Sequence, residues 1–211
     1  MKRKLFLEYF LRTACVIFPL FFLGGCSSLG KPAHEIKYYI LDYPAPAIKQ
    51  MPQIDYTIRL NRFTIAAAYN TQNMIFRPDK YTLDYFSYNR WAVNPADMVA
   101  DILQRDLQAA GLFGAVFSRY SIEDAHYILQ GSIGEFFLRA EPNGKRAVLD
   151  IKVTLKDSKK REAQRRVVFQ KIYYHEEPLT EQTPRGYCEA MSRALEKLSG
   201  QITLDIYQAI K

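Results

Sequence analysis

The chain has 211 residues, 48% of them hydrophobic and 24% charged, a length and balance that suit one globular domain with its own core and exclude a disordered or fibrous chain. Three cysteines are too few for a disulfide scaffold. The formal charge of +7 raises nucleic-acid binding as a question, and the first residues of the chain answer it.

Lys2, Arg3 and Lys4 give a positive start, and Arg12 adds a fourth basic charge. The uncharged apolar run Cys15–Leu23 follows, then Gly24 and Gly25, and then Cys26. This order of basic, apolar and small residues is that of an export signal. A membrane-spanning anchor over Leu5–Leu23 is the rival, but it would carry Glu8 and Arg12 within a span that needs about 20 apolar residues. Leu23-Gly24-Gly25-Cys26 resembles the bacterial lipobox. That resemblance implies cleavage before Cys26, a diacylglycerol thioether on Cys26 and acylation of the new amino terminus by a fatty acid such as palmitate. Several acyl chains hold a protein on a membrane where one alone holds it marginally. Residues 1–25 are therefore read as signal peptide, 26–36 as a lipidated tether and 37–211 as the domain. Losing residues 1–25 removes four basic residues and Glu8, which leaves 25 basic and 21 acidic residues, a formal +4. That modest charge, with no recognisable module, argues against nucleic acid. Cys188 is then the one free thiol, in a helix pattern that suggests packing rather than catalysis.

In chain order, Tyr38–Asp42 reads as a first strand bounded by Pro44, Pro46 and Pro52. Tyr56–Phe63 alternates, with Tyr56, Ile58 and Leu60 on one side and Arg59 and Asn61 on the other. Ile75–Arg77 and Tyr81–Phe86 flank a Pro78-Asp79-Lys80 turn. Asn94 and Pro95 open a helix whose stripe is Met98, Val99, Ile102, Leu103, Leu107 and Ala110, and Gly111 stops it. Ala115–Phe117 is a short strand. A meander follows in Tyr127–Leu138, Ala147–Leu155 and Arg166–Tyr174, with turns at Glu141–Gly144 and Asp157–Lys160. In its middle strand Leu149, Ile151, Val153 and Leu155 oppose Asp150, Lys152 and Thr154. Thr183, Pro184 and Gly186 open a last helix with the stripe Tyr187, Met191, Ala194, Leu195, Leu198, Ile202, Ile206 and Ala209. These elements predict a single α+β domain, a mostly antiparallel sheet with two amphipathic helices packed on it.

Catalytic patterns are missing from the sequence. His34, His126 and His175 have no second ligand at metal spacing, no serine sits in a G-x-S-x-G elbow, and no glycine-rich phosphate loop occurs, so neither enzyme, metal nor cofactor is expected. His175-Glu176-Glu177 reads as solvated charge at a strand end. The basic run of Lys156, Lys159, Lys160, Arg161, Arg165 and Arg166 reads as a solvated hairpin tip, with contact to anionic head groups or an acidic partner as the functional alternative. Tyr85, Tyr88 and Trp91, interleaved with Ser87, Asn89 and Arg90, suit either sheet packing or a partner-binding surface.

Tyr38-Tyr39-Ile40-Leu41, Ile58–Phe63, Met74–Arg77 through Tyr85-Phe86 and Arg90-Trp91-Ala92 resemble successive segments of the ABC-type transport auxiliary lipoprotein family. So do Asn94-Pro95 through Leu107, Gly111-Leu112-Phe113, Ala125–Leu129, Gly134-Glu135-Phe136 and the Ala190–Leu198 helix. His126 stands where that family usually has an aspartate. The resemblance implies a non-catalytic lipoprotein that works with an ABC permease and ATPase and a mammalian-cell-entry-domain protein to move lipids or other hydrophobic compounds across the envelope. It implies an outer-membrane address on the periplasmic face, favoured by Ser27 and Ser28 where an aspartate would mark inner-membrane retention. It leaves homo-oligomerisation open. An outer-membrane assembly or cell-envelope scaffold lipoprotein is the alternative.

Overall fold

The computed structural model describes residues 34–48, 51–142, 144–162 and 166–211, and Ile36–Lys211 form one compact unit. Its strands are β1 (Lys37–Tyr39), β2 (Ile54–Leu60), β3 (Thr64–Ile65), β4 (Asn73–Arg77), β5 (Asp84–Trp91), β6 (Phe113–Phe117), β7 (Tyr127–Glu141), β8 (Gly144–Asp157) and β9 (Val167–Pro178). Its helices are α1 (Pro95–Ala109) and α2 (Pro184–Ile210), with a one-turn 3-10 segment at Ala67–Tyr69.

The organising element is β7. One edge pairs antiparallel with β8 along its length, from Tyr127 opposite Asp157 to Glu141 opposite Gly144, and β8 pairs antiparallel with β9. The other edge takes three short strands in turn, all parallel: β2 beside Tyr127–Leu129, β3 beside Ser132–Ile133 and β4 beside Leu138–Arg139. β6 joins β2 in parallel, β5 joins β4 antiparallel, and β1 joins β5 in parallel at the sheet edge. The sheet is therefore mixed, which corrects the expectation of a mostly antiparallel one. Local hairpins give the antiparallel pairs, whereas the parallel pairs form between strands far apart in sequence, which turn signals do not report.

Both helices form where their caps and stripes predict. Asn94 accepts a hydrogen bond from the Ala96 backbone at 3.0 Å and Thr183 Oγ1 accepts one from Gly186 at 3.0 Å, each with proline at the next position. Gly111 ends the first helical segment with φ of 63°, the left-handed conformation that favours glycine. α2 packs across β8 and β9, and α1 packs against β3, β6, β7 and α2. Leu149, Ile151, Val153 and Leu155 meet Met191, Leu195, Leu198, Ile202 and Ile206 in the core. Two sequence expectations fail in detail. Ala209 is exposed while Tyr207 and Ile210 are buried, and Tyr56 is exposed although Ile58 and Leu60 are buried. Gly131 is required by contact, because a Cβ there would stand 2.2 Å from the Phe63 ring.

The segment after β1 is tied down by polar groups rather than by pairing. Cys188 Sγ donates to the Ile40 carbonyl at 2.9 Å, the Asp42 backbone N–H donates to Ser192 Oγ at 3.2 Å, and the Tyr43 hydroxyl donates to Asp106 at 2.7 Å. Asp106 is buried yet well served, accepting also from Ser199 Oγ at 2.6 Å and Arg105 at 2.8 Å. This carboxylate joins the N-terminal segment, α1 and α2, as a buried charge must be paired and hydrogen-bonded.

Candidate functional site

Among the described residues no group of three or more His, Cys, Asp or Glu side chains could hold a metal, and no helix is long and apolar enough to cross a membrane. Cys188 is buried, and burial pushes its thiol up to about 11, so little thiolate forms near neutral pH. His175 and Glu177 form a structural network where solvated charge was expected. Glu177 is 7% exposed and accepts from Lys197 at 2.6 Å, His175 at 2.9 Å and Arg193 at 3.0 Å. Burial alone would raise its carboxyl, but those hydrogen bonds and the Lys197 charge hold it at about 2. The network pins β9 to α2, and Lys171 and Tyr173 do the same through Asp205.

The surface candidates lie in two places. On β5, Tyr85 and Tyr88 are 51% and 47% exposed, and Tyr38 beside Arg90 in the neighbouring strand adds a third exposed phenol. Trp91 does not join them. It is 1% exposed and stands edge-on to Phe136 and Tyr187, with centroids 5.4 Å away in each case. Its expected share in a contact surface is corrected to a core role: the last residue of β5 turns its ring under α2, while the rings before it stay outside.

The second place is the Tyr127 end of β7. Lys159, Lys160, Arg161 and Arg166 are exposed and Lys156 is half-buried, while Arg165 and Cys26 lie outside the described residues. The turn is braced internally: Arg166 donates to the Lys160 and Arg161 carbonyls at 3.0 and 3.1 Å, and Asp157 faces Lys160 at 3.5 Å. Ser158 ties it to the β6–β7 loop, its N–H reaching the His126 carbonyl at 2.9 Å and its hydroxyl the same carbonyl at 3.0 Å. Between turn and loop lies a pocket of about 380 Å³ lined by Arg59, Asp124, Ala125, His126, Ile128, Ser158 and Lys159. The His126 ring sits 3.0 Å from Thr57 Oγ1. The loop also exposes Tyr120 and Ile122, which periodicity does not single out because neither belongs to a repeating stripe.

The sequence model of the family described as "ABC-type transport auxiliary lipoprotein component" matches residues 39–203, and the chain belongs to that family. It is thus an auxiliary component of ABC-type transport and a membrane-anchored protein of the cell envelope by the family's description. In fold it is similar to the crystal structure of XCC0632 from Xanthomonas campestris, at 17% identity and TM-score 0.73, covering 82% of this chain and 95% of that one. An uncharacterised protein aligns at 13% identity and TM-score 0.61, over 84% of this chain and 99% of its own. The hypothetical protein CT253 from Chlamydia trachomatis aligns at 8% and 0.52, over 74% and 98%. At these identities the likeness is one of fold. No curated protein matches the sequence.

Proposed function

We propose that the protein is lipidated on Cys26, sits on the periplasmic face of the outer membrane, and serves without catalysis as the docking component of a lipid-transport system. Its permease, ATPase and mammalian-cell-entry-domain protein are the proposed partners. The single observation that carries the reading is the family match over residues 39–203, standing directly behind the Leu23–Cys26 box. Tyr85 and Tyr88 are proposed to contribute to the partner contact. They are exposed on a strand that the buried Trp91 holds in place, and tyrosine supplies contact area with a polar handle.

The test is a Tyr85→Ala/Tyr88→Ala variant assayed for folding by circular dichroism, for membrane fractionation, and for pull-down of the mammalian-cell-entry-domain protein. Because both rings are exposed, the variant is expected to fold and fractionate normally and to lose the pull-down. Retained pull-down would refute this contact, and absence of any pull-down by wild type would refute the partnership itself.

A further inference from the structure

We propose that β9 is an interface strand, whose free edge pairs antiparallel with β9 of a second copy of this chain about a two-fold axis at Tyr173. Such pairing depends on neither the proposed anchor nor the proposed transport partners.

The ladder of β9 is open on one side. Among the described residues β8 is the one strand that pairs with it, so β9 is a sheet edge of 12 residues. Two hydrogen bonds fix which of its backbone groups face outward. The Leu179 N–H donates at 3.0 Å to the carbonyl of Lys145, one position beyond the Arg146–Pro178 pair. On the other edge of β8, the Ser158 N–H donates to the His126 carbonyl at 2.9 Å, which sets the same alternation independently. Odd positions from Phe169 to Glu177 therefore turn their backbone groups to β8, and Gln170, Ile172, Tyr174 and Glu176 turn theirs away from the sheet. Pro178 takes the next outward position, where lacking an N–H costs no ladder bond, and Arg193 donates to its carbonyl at 3.1 Å.

Sheet edges are ordinarily blunted by charges, prolines or bulges. Here Pro178 and the register shift at Leu155–Lys156 guard the two ends of β9 and leave its middle open. Lys171, the one lysine of that middle, is drawn to the α2 face by Asp205 at 2.6 Å. On the opposite face Ile172 and Tyr174 are 62% and 49% exposed.

The order of side chains selects the occupant. An antiparallel neighbour must set outward residues opposite outward residues, so its possible registers are few. With the axis at Tyr173, Ile172 faces the second copy's Tyr174 and Gln170 faces the second copy's Glu176, and each pair is made twice. An aliphatic chain meets a ring and an amide meets a carboxylate, both favourable cross-strand pairs. Moving the axis to Tyr174 would set Ile172 against Glu176, and moving it to Ile172 would set Gln170 against Tyr174. On the α2 face Lys171 comes opposite the second copy's His175. Each is matched within its own subunit, Lys171 by Asp205 at 2.6 Å and His175 by Glu177 at 2.9 Å. A strand that complements its own reverse fits a second copy, and such a two-fold contact closes at two chains.

Sedimentation of the full chain in detergent is expected to show its protein mass doubling as concentration rises. Ile172→Lys/Tyr174→Lys places like charges directly opposite in this register. Both side chains are exposed, so that variant should keep the circular dichroism spectrum and stay single at every concentration. Disulfide formation reads the register. When Ile172→Cys chains are mixed with tagged Tyr174→Cys chains, the two positions have Cα atoms about 5.5 Å apart, within disulfide reach. Either variant paired with itself stands on the diagonal, at about 7–8 Å or more. Mild oxidation should therefore give the mixed disulfide and not the same-variant ones, and the unsubstituted chain, with Cys188 buried, gives the background. A chain that stays single across the range overturns the proposal, as does a dimer that survives the double lysine substitution. Same-variant disulfides that form as readily as the mixed one overturn it too, as do β9 cysteines that join a different protein and never a second copy.

Discussion

The indole of Trp91 stands edge-on to the phenol of Tyr187, their centroids 5.4 Å apart and their planes at 67°, and this contact joins the end of β5 to the first turns of α2. Edge-to-face pairs add about 0.5–1.5 kcal/mol to the gain from burial. Trp91→Ala is expected to destabilise the domain by about 3–5 kcal/mol through the cavity it leaves. Tyr187→Phe should behave oppositely. Its hydroxyl is buried, and no described residue offers it a hydrogen bond, so removal is expected to be neutral or to stabilise by up to about 1 kcal/mol. Urea unfolding of both variants is the measurement. A Trp91→Ala domain as stable as wild type would remove Trp91 from the core.

The register of β8 gives a second expectation. Val153 lies opposite Gly131 and Lys171 and is fully buried, so Val153→Asp places an unpaired charge in the core and should cost several kcal/mol, on the order of half a typical domain stability. Thr154, on the opposite face, is also buried and accepts from Gln170 at 2.7 Å, so Thr154→Asp should destabilise too. Lys152 is exposed, and Lys152→Gln should be nearly silent. Melting temperatures ordered otherwise would contradict this register.

These positions also show what the sequence reveals. The alternation of Leu149, Ile151, Val153 and Leu155 and the caps at Asn94 and Thr183 are local, and the structure forms them where the pattern puts them. The second face of β8 was misleading, because Thr154 and Val148 are covered by neighbours that alternation cannot see. Val148 pairs with Phe137, whose ring stacks on Tyr69 at 5.7 Å, a contact across 68 positions of sequence. Long-range pairing likewise hid the parallel half of the sheet. Among site residues, Tyr85 and Tyr88 are exposed, whereas composition alone could not tell that Trp91 turns inward. Glu177 looked like one charge among several in sequence. Its role depends on Arg193 and Lys197 arriving from α2.

Glu177 makes stability depend on pH. Its carboxyl titrates near 4.5 when unperturbed and is held at about 2 in the folded protein. Above about pH 4.5 the group is charged in both states and its contribution is complete. As the pH falls below that value the unfolded chain takes up a proton first, and the contribution is lost as the pH approaches 2. Linkage over that interval amounts to roughly 3 kcal/mol, and the exposure of Lys197 reduces the expectation to about 1–2 kcal/mol. Wild type and Glu177→Gln should therefore differ in unfolding free energy at pH 7 and converge toward pH 3. A difference that stays constant across that range would show that the network contributes nothing through its charge.

The last expectation concerns the anchor. The Leu23-Gly24-Gly25-Cys26 box behind an uncharged apolar run predicts that a fatty acid is attached at Cys26. Cells fed a clickable fatty acid should label the wild-type chain and leave Cys26→Ser unlabelled, while Cys188→Ser keeps the label because that thiol is buried and little ionised. Mass should report a second consequence: the wild-type chain loses residues 1–25, and the Cys26→Ser chain keeps them, because cleavage at such a box follows lipid attachment. A Cys26→Ser chain that is labelled and cleaved like wild type would disprove the lipobox reading.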